Sequence, residues 1–481
     1  MATPEIVWFR RDLRVRDHPA LHTAASGGNP LLPLFVVDPA IVAGPAASRP
    51  RARFLADSLR ALDAALRERG GRLVVRHGDP ATVLPALAAE VGAAAVRWTA
   101  DASPFGRARD RRVAEALRGQ GVEAVAHPGQ YVVDPTAIST GSGTPYVVFT
   151  PFGRAWAAAP RRALDPAPRN LRGVPRVGGE GLPSARDLAP DDRLPDVAEP
   201  FASGGEDQGL RAARAWLDGP LADYADRHDA LAAPGRSTRP AGGTSGLSPH
   251  LRWGTISPAW LEQRARDRRG EGPAAFVRQL AWRDFFGHVY RHHPGDRHRE
   301  HQPRYRALAW EDDAEALAAW RAGRTGYPLV DAGMRQLAAT GWMHNRARMV
   351  VGSFLTKDLH ADWRHGERHF HRLLLDGEPA QNDGNWQWIA SVGVDPKPYF
   401  QRLFNPVRQQ QRFDPDGVYV RRWVPELARV PDRLLAEPWR MSEDQQRDAG
   451  CAIGRDYPSP IVDHAAEREH AAARYRAAGE R

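Results

Sequence analysis

The chain has 481 residues, too many for one ordinary hydrophobic core, so we expect two domains and a connecting segment. Hydrophobic residues make up 42% and charged residues 26%, as in globular proteins, and no apolar run is long enough to span a membrane. The 67 basic and 58 acidic side chains give a net charge of +9, which suits a nucleic acid partner but equally an arginine-rich protein of another function.

The numbers of cysteines and tryptophans further limit the kinds of site that the chain can form. Because Cys451 is the only cysteine, an intrachain disulfide, a thiolate zinc site and a cysteine-bound iron–sulfur cluster are excluded. The residues after Met1 contain no apolar signal segment, so we expect a cytoplasmic protein of bacterial type without a membrane partner. The 15 tryptophans equal the phenylalanines and outnumber the 10 tyrosines, which is unusual and needs a reason.

The first part of the chain alternates short apolar runs with amphipathic stretches. A leucine stripe at helical spacing predicts a helix over 51–69, and shorter helical stretches follow. Candidate strands lie at 6–9, 31–37, 73–75, 94–98 and 122–125. Alternation of strands and helices is typical of a parallel sheet covered on both faces. We therefore assign residues 3–131 to an α/β domain with a parallel five-stranded, Rossmann-like sheet.

The remainder divides into a proline-rich connection and a helical part. Between 132 and 205, prolines recur with little apolar periodicity, which predicts a long interdomain linker. From 206 to 481 the apolar positions follow helical spacing, and no pair of strands is convincing. We therefore predict an all-α second domain over 206–481.

The helical part opens with a segment of small and hydroxyl residues at 243–251. These residues lead into Pro249, which suits the first turn of a helix. Free backbone N–H groups and the hydroxyls of Thr244, Ser245 and Ser248 could hold a phosphate. A simple capped helix explains the same pattern, so both interpretations stay open at this point.

A helix predicted over 276–286 carries polar and aromatic residues on one face. Its members, at spacings of three or four, are Gln279, Trp282, Arg283 and Phe286. A face buried in a core would not retain an amide and a guanidinium. Because indoles stack on bases and amides read their edges, this face suits a flat, partly polar ligand.

Two later segments combine amides, indoles and charges. Within 376–388, Asn382 and Trp386 lie one helical turn apart, whereas Trp388 points roughly the opposite way. One short helix could thus serve two sites. The segment 341–349 supplies Arg348, which could pair with Asp376 as a buried, purely structural ion pair.

Histidines raise the alternative of a metal site. His365 and His369 are one helical turn apart, and His288, His292, His293, His298 and His301 cluster in the chain. No His-Glu-x-x-His pattern accompanies them. We therefore expect solvated or phosphate-facing histidines and no metal.

Six segments in order resemble the photolyase/cryptochrome family, most closely its class I cyclobutane pyrimidine dimer photolyases. They lie at 7–14, 244–248, 279–286, 326–334, 342–348 and 382–388, so the resemblance spans almost the whole chain. It implies an N-terminal domain for an antenna chromophore, a long linker and a helical domain that binds a folded-back FAD and damaged DNA.

The resemblance also implies which residues hold the FAD. Tyr224 and the 244–248 segment match the adenine–phosphate side, and the others surround the flavin ring and ribityl chain, with Asn382 at flavin N5. The matching positions are Tyr224, Thr244, Ser245, Gly246, Leu247, Ser248, Arg283, Asn345, Arg348, Asp376, Gly377, Glu378 and Asn382. The protein side of such a site tunes the redox state of a cofactor that supplies the chemistry.

The implied activity is light-driven repair of pyrimidine dimers in ultraviolet-damaged DNA. In the family, photoexcited FADH⁻ gives an electron to a flipped-out dimer, which splits and returns the electron, so no acid or base is needed. Positions that match DNA or dimer contacts are Gln279, Trp282, Arg283, Phe286, Asn345, Arg346, Met349, Trp388 and Gln409. The resemblance further implies an electron relay through Trp386, Trp363 and Trp310; otherwise Trp363 and Trp310 are packing residues.

Several positions choose among the branches of the family. Asn345 and Met349 stand where (6-4) photolyases carry histidines, and the amide of Asn382 is usually replaced in signalling cryptochromes. Repair is therefore the preferred expectation, with a blue-light sensor without repair activity as the alternative. Gln279 stands where many dimer photolyases have a Glu, and His228 stands near the position of a DNA-contacting Arg. Whether the protein prefers duplex or single-stranded DNA therefore stays open.

The antenna chromophore and the oligomeric state are further expectations. Folate-binding members have Asn-Glu where this chain has Phe105-Gly106. The stretch 101–107 resembles deazaflavin or FMN binders, so we expect 8-hydroxy-5-deazaflavin in preference to FMN or methenyltetrahydrofolate. Family members are usually monomeric, and we expect a monomer here.

Overall fold

The N-terminal part of the chain forms one parallel sheet with helices on both faces. The structure is a computed structural model that describes residues 3–173, 177–232 and 242–479, without the side chain of His298. Its elements are β1 (Glu5–Phe9), α1 (Pro19–Ser26), β2 (Leu31–Val37), α2 (Pro39–Val42), α3 (Arg49–Arg67), β3 (Val74–His77), α4 (Pro80–Val91), β4 (Ala95–Thr99), α5 (Pro104–Arg118) and β5 (Glu123–His127). The strand order is β3-β2-β1-β4-β5, and every pairing is parallel, so the predicted α/β fold is confirmed.

Alternating side chains of the central strand build two separate cores. Val7 and Phe9 pack on one face of the sheet, in the core that includes α1 and α3. Ile6 and Trp8 pack on the other face, in the core that includes α4 and α5. Because successive strand residues point to opposite faces, a strand covered on both sides must be apolar throughout.

The described residues of the segment 132–205 are largely irregular but form one helix that the sequence analysis did not predict. This helix, α6 (Phe149–Ala158), buries Phe152 and Trp156, one turn apart, in the core formed with the later helix around Phe285. Pro151 lies in its first turn, where a missing N–H costs nothing. Only two large apolar contacts define the helix, which is too weak a pattern to stand out among prolines.

The part from residue 206 onward is helical, as predicted. Its helices are α7 (Glu206–Leu217), α8 (Tyr224–Arg227), α9 (Ser248–Trp253), α10 (Pro258–Arg266), α11 (Glu271–His292), α12 (Ala314–Ala322), α13 (Pro328–Thr340), α14 (Asn345–Ser353), α15 (Trp363–Leu373), α16 (Pro379–Ile389), α17 (Pro406–Phe413), α18 (Val418–Trp423), α19 (Glu443–Ala449) and α20 (His464–Gly479). Short 3₁₀ turns join them. None of the helices described is long and apolar enough to cross a membrane.

One π-helical turn, Phe354–Asp358, follows α14 and holds a buried lysine. The chain contains only two lysines, Lys357 and Lys397, and the first is fully buried. The Nζ of Lys357 donates to the carbonyl oxygens of Ile389 and Arg402. Burial therefore keeps the pKa of Lys357 well below its usual value.

The segment after β1 joins the two parts of the molecule. Leu13 N donates to Trp253 O at 3.2 Å, and Arg14 Nη1 donates to Gly254 O at 2.9 Å. Gly254 has φ +63°, and a Cβ there would lie 2.1 Å from the carbonyl oxygen of Arg11, so only glycine fits. The Arg-Arg-Asp-Leu-Arg stretch of the sequence is thus a docking segment between the sheet and α9.

Candidate functional site

Helix α16 carries an amide and an indole on the face that packs against α15. Asn382 Nδ2 donates to Glu367 O at 2.9 Å and to Glu367 Oε1 at 2.8 Å. Trp386 presses on Gly366, where a Cβ would lie 2.1 Å from its ring. Trp388 lies elsewhere, with the Arg402 guanidinium 3.8 Å from its ring centroid. The helix and its two different faces are confirmed.

The predicted ion pair between α14 and the start of the α16 segment is also present. Arg348 Nη2 donates to Asp376 Oδ2 at 2.8 Å, and Arg348 Nε donates to Met343 O at 2.9 Å. Asp376 is buried, yet its Oδ1 has no hydrogen-bond partner. An unpaired buried carboxylate oxygen is costly, so this position is suited to accept a hydrogen bond from a bound molecule.

The hydroxyl segment 244–248 lies beside the α14 segment. Ser248 Oγ accepts a hydrogen bond from Trp342 Nε1 at 3.2 Å, and Leu247 N donates to Ser245 Oγ at 3.3 Å. Gly246 has φ +68°, which lets the chain turn before α9. Pro249 occupies the first turn of α9, as predicted. The segment therefore combines a tight turn with half-buried hydroxyls.

Tyr224 lies next to this segment in the core rather than on an open wall. Its ring packs edge-on against Trp216, with centroids 5.5 Å apart, and against Phe276 at 5.6 Å. Burial raises the pKa of its hydroxyl. Thr244 and Ser245, by contrast, are half-buried.

Glu378 and Arg283 belong to a network that crosses between the two parts of the molecule. The Glu378 carboxylate lies 3.4 Å from Arg11 Nη1, 3.5 Å from Arg283 Nη2 and 3.4 Å from the Tyr131 hydroxyl. Arg283 Nη1 also donates to Gln130 O at 2.9 Å. The adjacent Gly377 lies against Arg51, whose Nη1 would be 2.5 Å from a Cβ there.

Phe286 is buried as well, because it packs on the glycine of α16. A Cβ at Gly384 would lie 2.3 Å from the Phe286 ring. Of the predicted face of α11, Gln279 is exposed and Trp282 half-buried, whereas Arg283 and Phe286 point into the protein. Arg283 and Phe286 can therefore act on DNA only through the residues they support.

The remaining predicted DNA positions keep part of their surface open. Trp282 stacks on Phe149, with ring centroids 3.7 Å apart. Trp388 packs against both the core that holds Trp282 and the core that holds Met349, so it lies between them. Asn345 is exposed, with its Nδ2 3.8 Å from Met349 Sδ.

Arg346 and Gln409, the two positions predicted to contact the DNA backbone, lie on α14 and α17. Arg346 forms an ion pair with Asp229, and its guanidinium lies 4.4 Å from the Phe413 ring centroid. Gln409 is half-buried, and its Oε1 has no hydrogen-bond partner. His344, just before Arg346, is buried, and burial lowers its pKa to about 3, so it is neutral at ordinary pH.

The three tryptophans of the predicted relay run from the interior toward the surface. Trp386 touches the face of α15 that carries Gly366, and Trp363 lies one turn earlier on that helix. Trp363 is fully buried, with its Nε1 donating to Glu300 at 3.2 Å. Trp310 is half-buried and precedes Glu311, whose backbone bridges to Ala361 near the start of α15.

A large cavity of about 760 Å³ opens between the sheet domain and the helical part. Its walls include Trp8, Phe35 and Asp101 from the sheet domain and Arg252, Glu367, His371 and Asp383 from the helices. The stretch 101–107, predicted to bind the antenna chromophore, contributes Asp101, Ser103 and Phe105 to this wall. Burial and neighbouring arginines lower the pKa of Arg252 to about 9.

Sequence reasoning missed Glu367, which orients the Asn382 amide and also lines this cavity. Burial raises the pKa of Glu367, and burial together with Glu367 raises the pKa of Asp383 to about 8. Glu367 lies on α15 between Arg364 and Arg368, and nothing in the local sequence pattern distinguishes it from an ordinary solvated charge. Only the placement of α16 gives it a partner.

Comparisons with known proteins agree on one family. A family described as "FAD binding domain of DNA photolyase" matches residues 276–477, and one described as "DNA photolyase" matches residues 5–170. The deoxyribodipyrimidine photo-lyase of Streptomyces griseus is 46% identical over 96% of this chain and 97% of its own. That of Halobacterium salinarum is 39% identical over 98% of both chains.

The solved structures with the same architecture include photolyases and a cryptochrome. A bacterial class III photolyase from Agrobacterium tumefaciens is 38% identical, with a TM-score of 0.90 over 100% of this chain and 98% of that one. A cryptochrome from Synechocystis is 29% identical, with a TM-score of 0.88 over 98% and 99%. An archaeal photolyase from Sulfolobus tokodaii, described with two FAD molecules, is 31% identical with a TM-score of 0.81 over 99% and 100%.

The fold and the site define a two-domain flavoprotein, with a Rossmann-like sheet followed by a helical FAD-binding domain. The chain belongs to the DNA photolyase family. The subclass stays open, because the similar structures include a class III photolyase, and class I remains a prediction.

Proposed function

We propose that this protein is a deoxyribodipyrimidine photo-lyase, which splits cyclobutane pyrimidine dimers in ultraviolet-damaged DNA under blue light. The observation that carries the proposal is the division of α16 into two faces. Asn382 and Trp386 face α15, and Trp388 faces a partly open surface shared with Trp282 and Met349. One helix thus places a redox-tuning amide and a base-stacking indole within two turns of each other.

The residues present fit an FAD. Asp376 offers an unpaired buried oxygen to a ring N–H, and Arg348 balances its charge. Ser248 Oγ accepts a hydrogen bond from Trp342. The 244–248 turn supplies hydroxyls for the phosphate side. When bound in its reduced form, FAD supplies the photoexcited electron that opens the cyclobutane ring.

Asn382 holds a proton at flavin N5 in this proposal. Both acceptors that face its Nδ2 belong to Glu367, and one is a backbone carbonyl oxygen that can only accept. The NH₂ group of the amide must therefore point to α15, which leaves Oδ1 as the atom directed toward the cofactor. An acceptor at N5 favours the flavin states that carry a hydrogen there.

The open side chains form the wall for a flipped dimer. Trp282 and Trp388 offer apolar faces, and Asn345, Gln279 and Met349 lie at the rim. A dimer stacks poorly in the duplex, so it costs less to flip than an intact base pair. Arg346 and Gln409 are proposed to contact the DNA backbone, and Arg283 and Phe286 to support this wall from below.

The tryptophan relay is the second proposed electron path. Trp386, Trp363 and Trp310 would let electrons reach an oxidised flavin from the surface. The order of their burial supports this path, because only Trp310 has part of its surface open. Trp363 and Trp310 also pack in or against the main helical core, so the packing role and the relay role are compatible.

The interdomain cavity is the proposed antenna site. It is large enough for a flat tricyclic ring, and its walls hold aromatic, apolar and cationic groups. We propose 8-hydroxy-5-deazaflavin there, in preference to FMN or methenyltetrahydrofolate. At Gly106, where folate binders carry an acid, a Cβ would lie 2.2 Å from Asp101, so that acid could not fit.

A repair assay tests the proposal directly. FAD-loaded, reduced protein should remove cyclobutane dimers from irradiated duplex DNA under blue light and leave them intact in the dark. The similarity to a cryptochrome keeps a blue-light sensor as the second candidate. Absence of repair by fully reduced, FAD-loaded monomer would replace the repair proposal with the sensor.

A further inference from the structure

A histidine–aspartate cluster lies after α11, in the histidine-rich stretch noted in the sequence. His301 Nδ1 lies 2.6 Å from Asp296 Oδ2, and the ring of His293 stands perpendicular to that of His301 with centroids 5.1 Å apart. One ligand atom of each residue comes within 4.8 Å of the others. The other described histidines of the stretch lie apart, since His288 and His292 both contact Pro135 O.

The cluster lines a small cavity of its own. This cavity of about 20 Å³ has room for a single ion or water, and its wall includes Asp383 and Gln387 of α16. The Nε2 of His293 is buried without a hydrogen-bond partner, and so is the Oδ1 of Asp383. A cavity of one-ion size whose wall carries this cluster and two unsatisfied buried polar groups is suited to a bound cation.

We propose that His293, Asp296 and His301 bind one divalent cation of the zinc type. Two imidazole nitrogens and one carboxylate oxygen are ligands that zinc prefers, and water can fill the fourth tetrahedral position. The burial of the three side chains is intermediate, which leaves the ion a route from solvent.

The proposed ion would stiffen the segment that clamps α16. His301 N donates to Gln387 Oε1 at 3.0 Å, and Gln387 Nε2 donates to Asp296 O at 2.6 Å. Gln387 lies between Trp386 and Trp388 in α16. A bound ion would therefore stabilise the 293–301 segment, which holds this part of α16 and both indoles in place. A bound ion of this kind stabilises the folded protein by mass action.

One other group of possible ligands occurs in the part of the chain that the structure describes. Glu311, His360 and His470 also approach one another, but Glu311 and His470 are each half exposed. Arg474 Nε lies 3.8 Å from Glu311 Oε1 and already supplies a positive charge there. This group is therefore the weaker cation site and serves as a competitor in the test.

The test measures zinc in the FAD-loaded, full-length chain after removal of metal and dialysis against zinc sulfate. Wild type should retain zinc at the cluster, and the H293Q/H301Q double variant should bind it more than about tenfold more weakly. The matched control is H365Q, because His365 Nε2 lies 2.9 Å from Asp312 Oδ1 in a similar pair without a third ligand. H365Q should bind zinc as wild type does.

Three results would overturn the proposal: no zinc retained by wild type, equal affinity in the double variant, or loss of zinc in H470Q with retention in the double variant. Folding of each variant is checked by circular dichroism and FAD content. If the double variant does not fold, thermal unfolding decides. Zinc should then raise the Tm of wild type and leave that of the single variant H293Q unchanged; equal shifts would also reject the site.

Discussion

At the scale of single residues, the orientation of one amide controls the proposed cofactor chemistry. Asn382 donates both hydrogen bonds of its NH₂ group to Glu367. A hydrogen bond to a charged group is worth about 1.5–3 kcal/mol, enough to fix which atom of the amide faces the cofactor. Glu367 is therefore as important to the site as Asn382, although it is a positioning residue.

We expect Glu367→Ala to speed the aerobic reoxidation of photoreduced flavin, because the Asn382 amide then keeps only its hydrogen bond to the backbone oxygen of residue 367 and is held less firmly. The rate should rise by about tenfold, which corresponds to a loss of about 1.4 kcal/mol. The measurement follows flavin absorbance in the dark after illumination. Glu367→Gln should stay close to wild type, since its side-chain oxygen still accepts from Nδ2. Equal rates in E367A and wild type would contradict the orienting role.

Substitutions at Trp388 test whether this side chain forms part of the proposed wall for the flipped dimer. Stacking of a base on an aromatic side chain is worth about 1–3 kcal/mol, so Trp388→Ala should weaken binding of a dimer-containing oligonucleotide about tenfold or more. Titration in the dark gives the Kd. Trp388→Phe should retain part of the affinity, and undamaged DNA should bind all three proteins alike. A uniform loss on both DNAs would show that Arg402, 3.8 Å from the ring, had moved instead.

At the scale of elements, the π-helical turn after α14 anchors the end of α16. Lys357 donates to the carbonyl oxygens of Ile389 and Arg402, and both acceptors are buried. Lys357→Met keeps the apolar stem but leaves the Ile389 oxygen without a donor, whereas the Arg402 oxygen still accepts from Ser353 Oγ. The free energy of unfolding should therefore fall by about 1–3 kcal/mol. Urea unfolding measures it. Lys397, the only other lysine, is exposed, so Lys397→Met should change the free energy of unfolding by less than about 0.5 kcal/mol.

Helix α15 carries the proposed path for electrons. Trp363→Phe removes the middle indole, and photoreduction of oxidised FAD with an external reductant should slow to a small fraction of the wild-type rate. The matched control is Trp320→Phe, because the Trp320 ring lies 6.2 Å from Trp386 but outside the proposed order. An equal loss in both variants would assign the effect to packing rather than to the relay.

At the scale of the whole molecule, the proposed antenna site is the interdomain cavity, and the proposed repair site is the surface around Trp282 and Trp388. Ala46→Trp places an indole in the wall of this cavity and should abolish retention of the antenna chromophore. FAD content and repair at wavelengths that the flavin absorbs should be unchanged. Ala43→Trp, exposed on the same loop and outside the cavity wall, should retain the chromophore. Loss of FAD in A46W would argue against two independent sites.

How much the sequence could predict depended on whether the information was local. The strands, the α16 helix and the Arg348–Asp376 pair follow from periodicity and spacing within short segments. Helix α6, the role of Glu367 and the burial of Arg283 depend on which distant segment packs against them. Such contacts have no signature in a single sequence, because the same residues would be solvated in another arrangement.

The scarcity of lysine in this chain has a practical consequence. Lys357 is enclosed and Lys397 is exposed, between the Trp388 segment and Arg402. Amine-reactive dyes should therefore modify one side chain, within the loop that follows the proposed DNA-facing indole. A fluorophore at Lys397 would report the arrival of damaged DNA without any engineered attachment site.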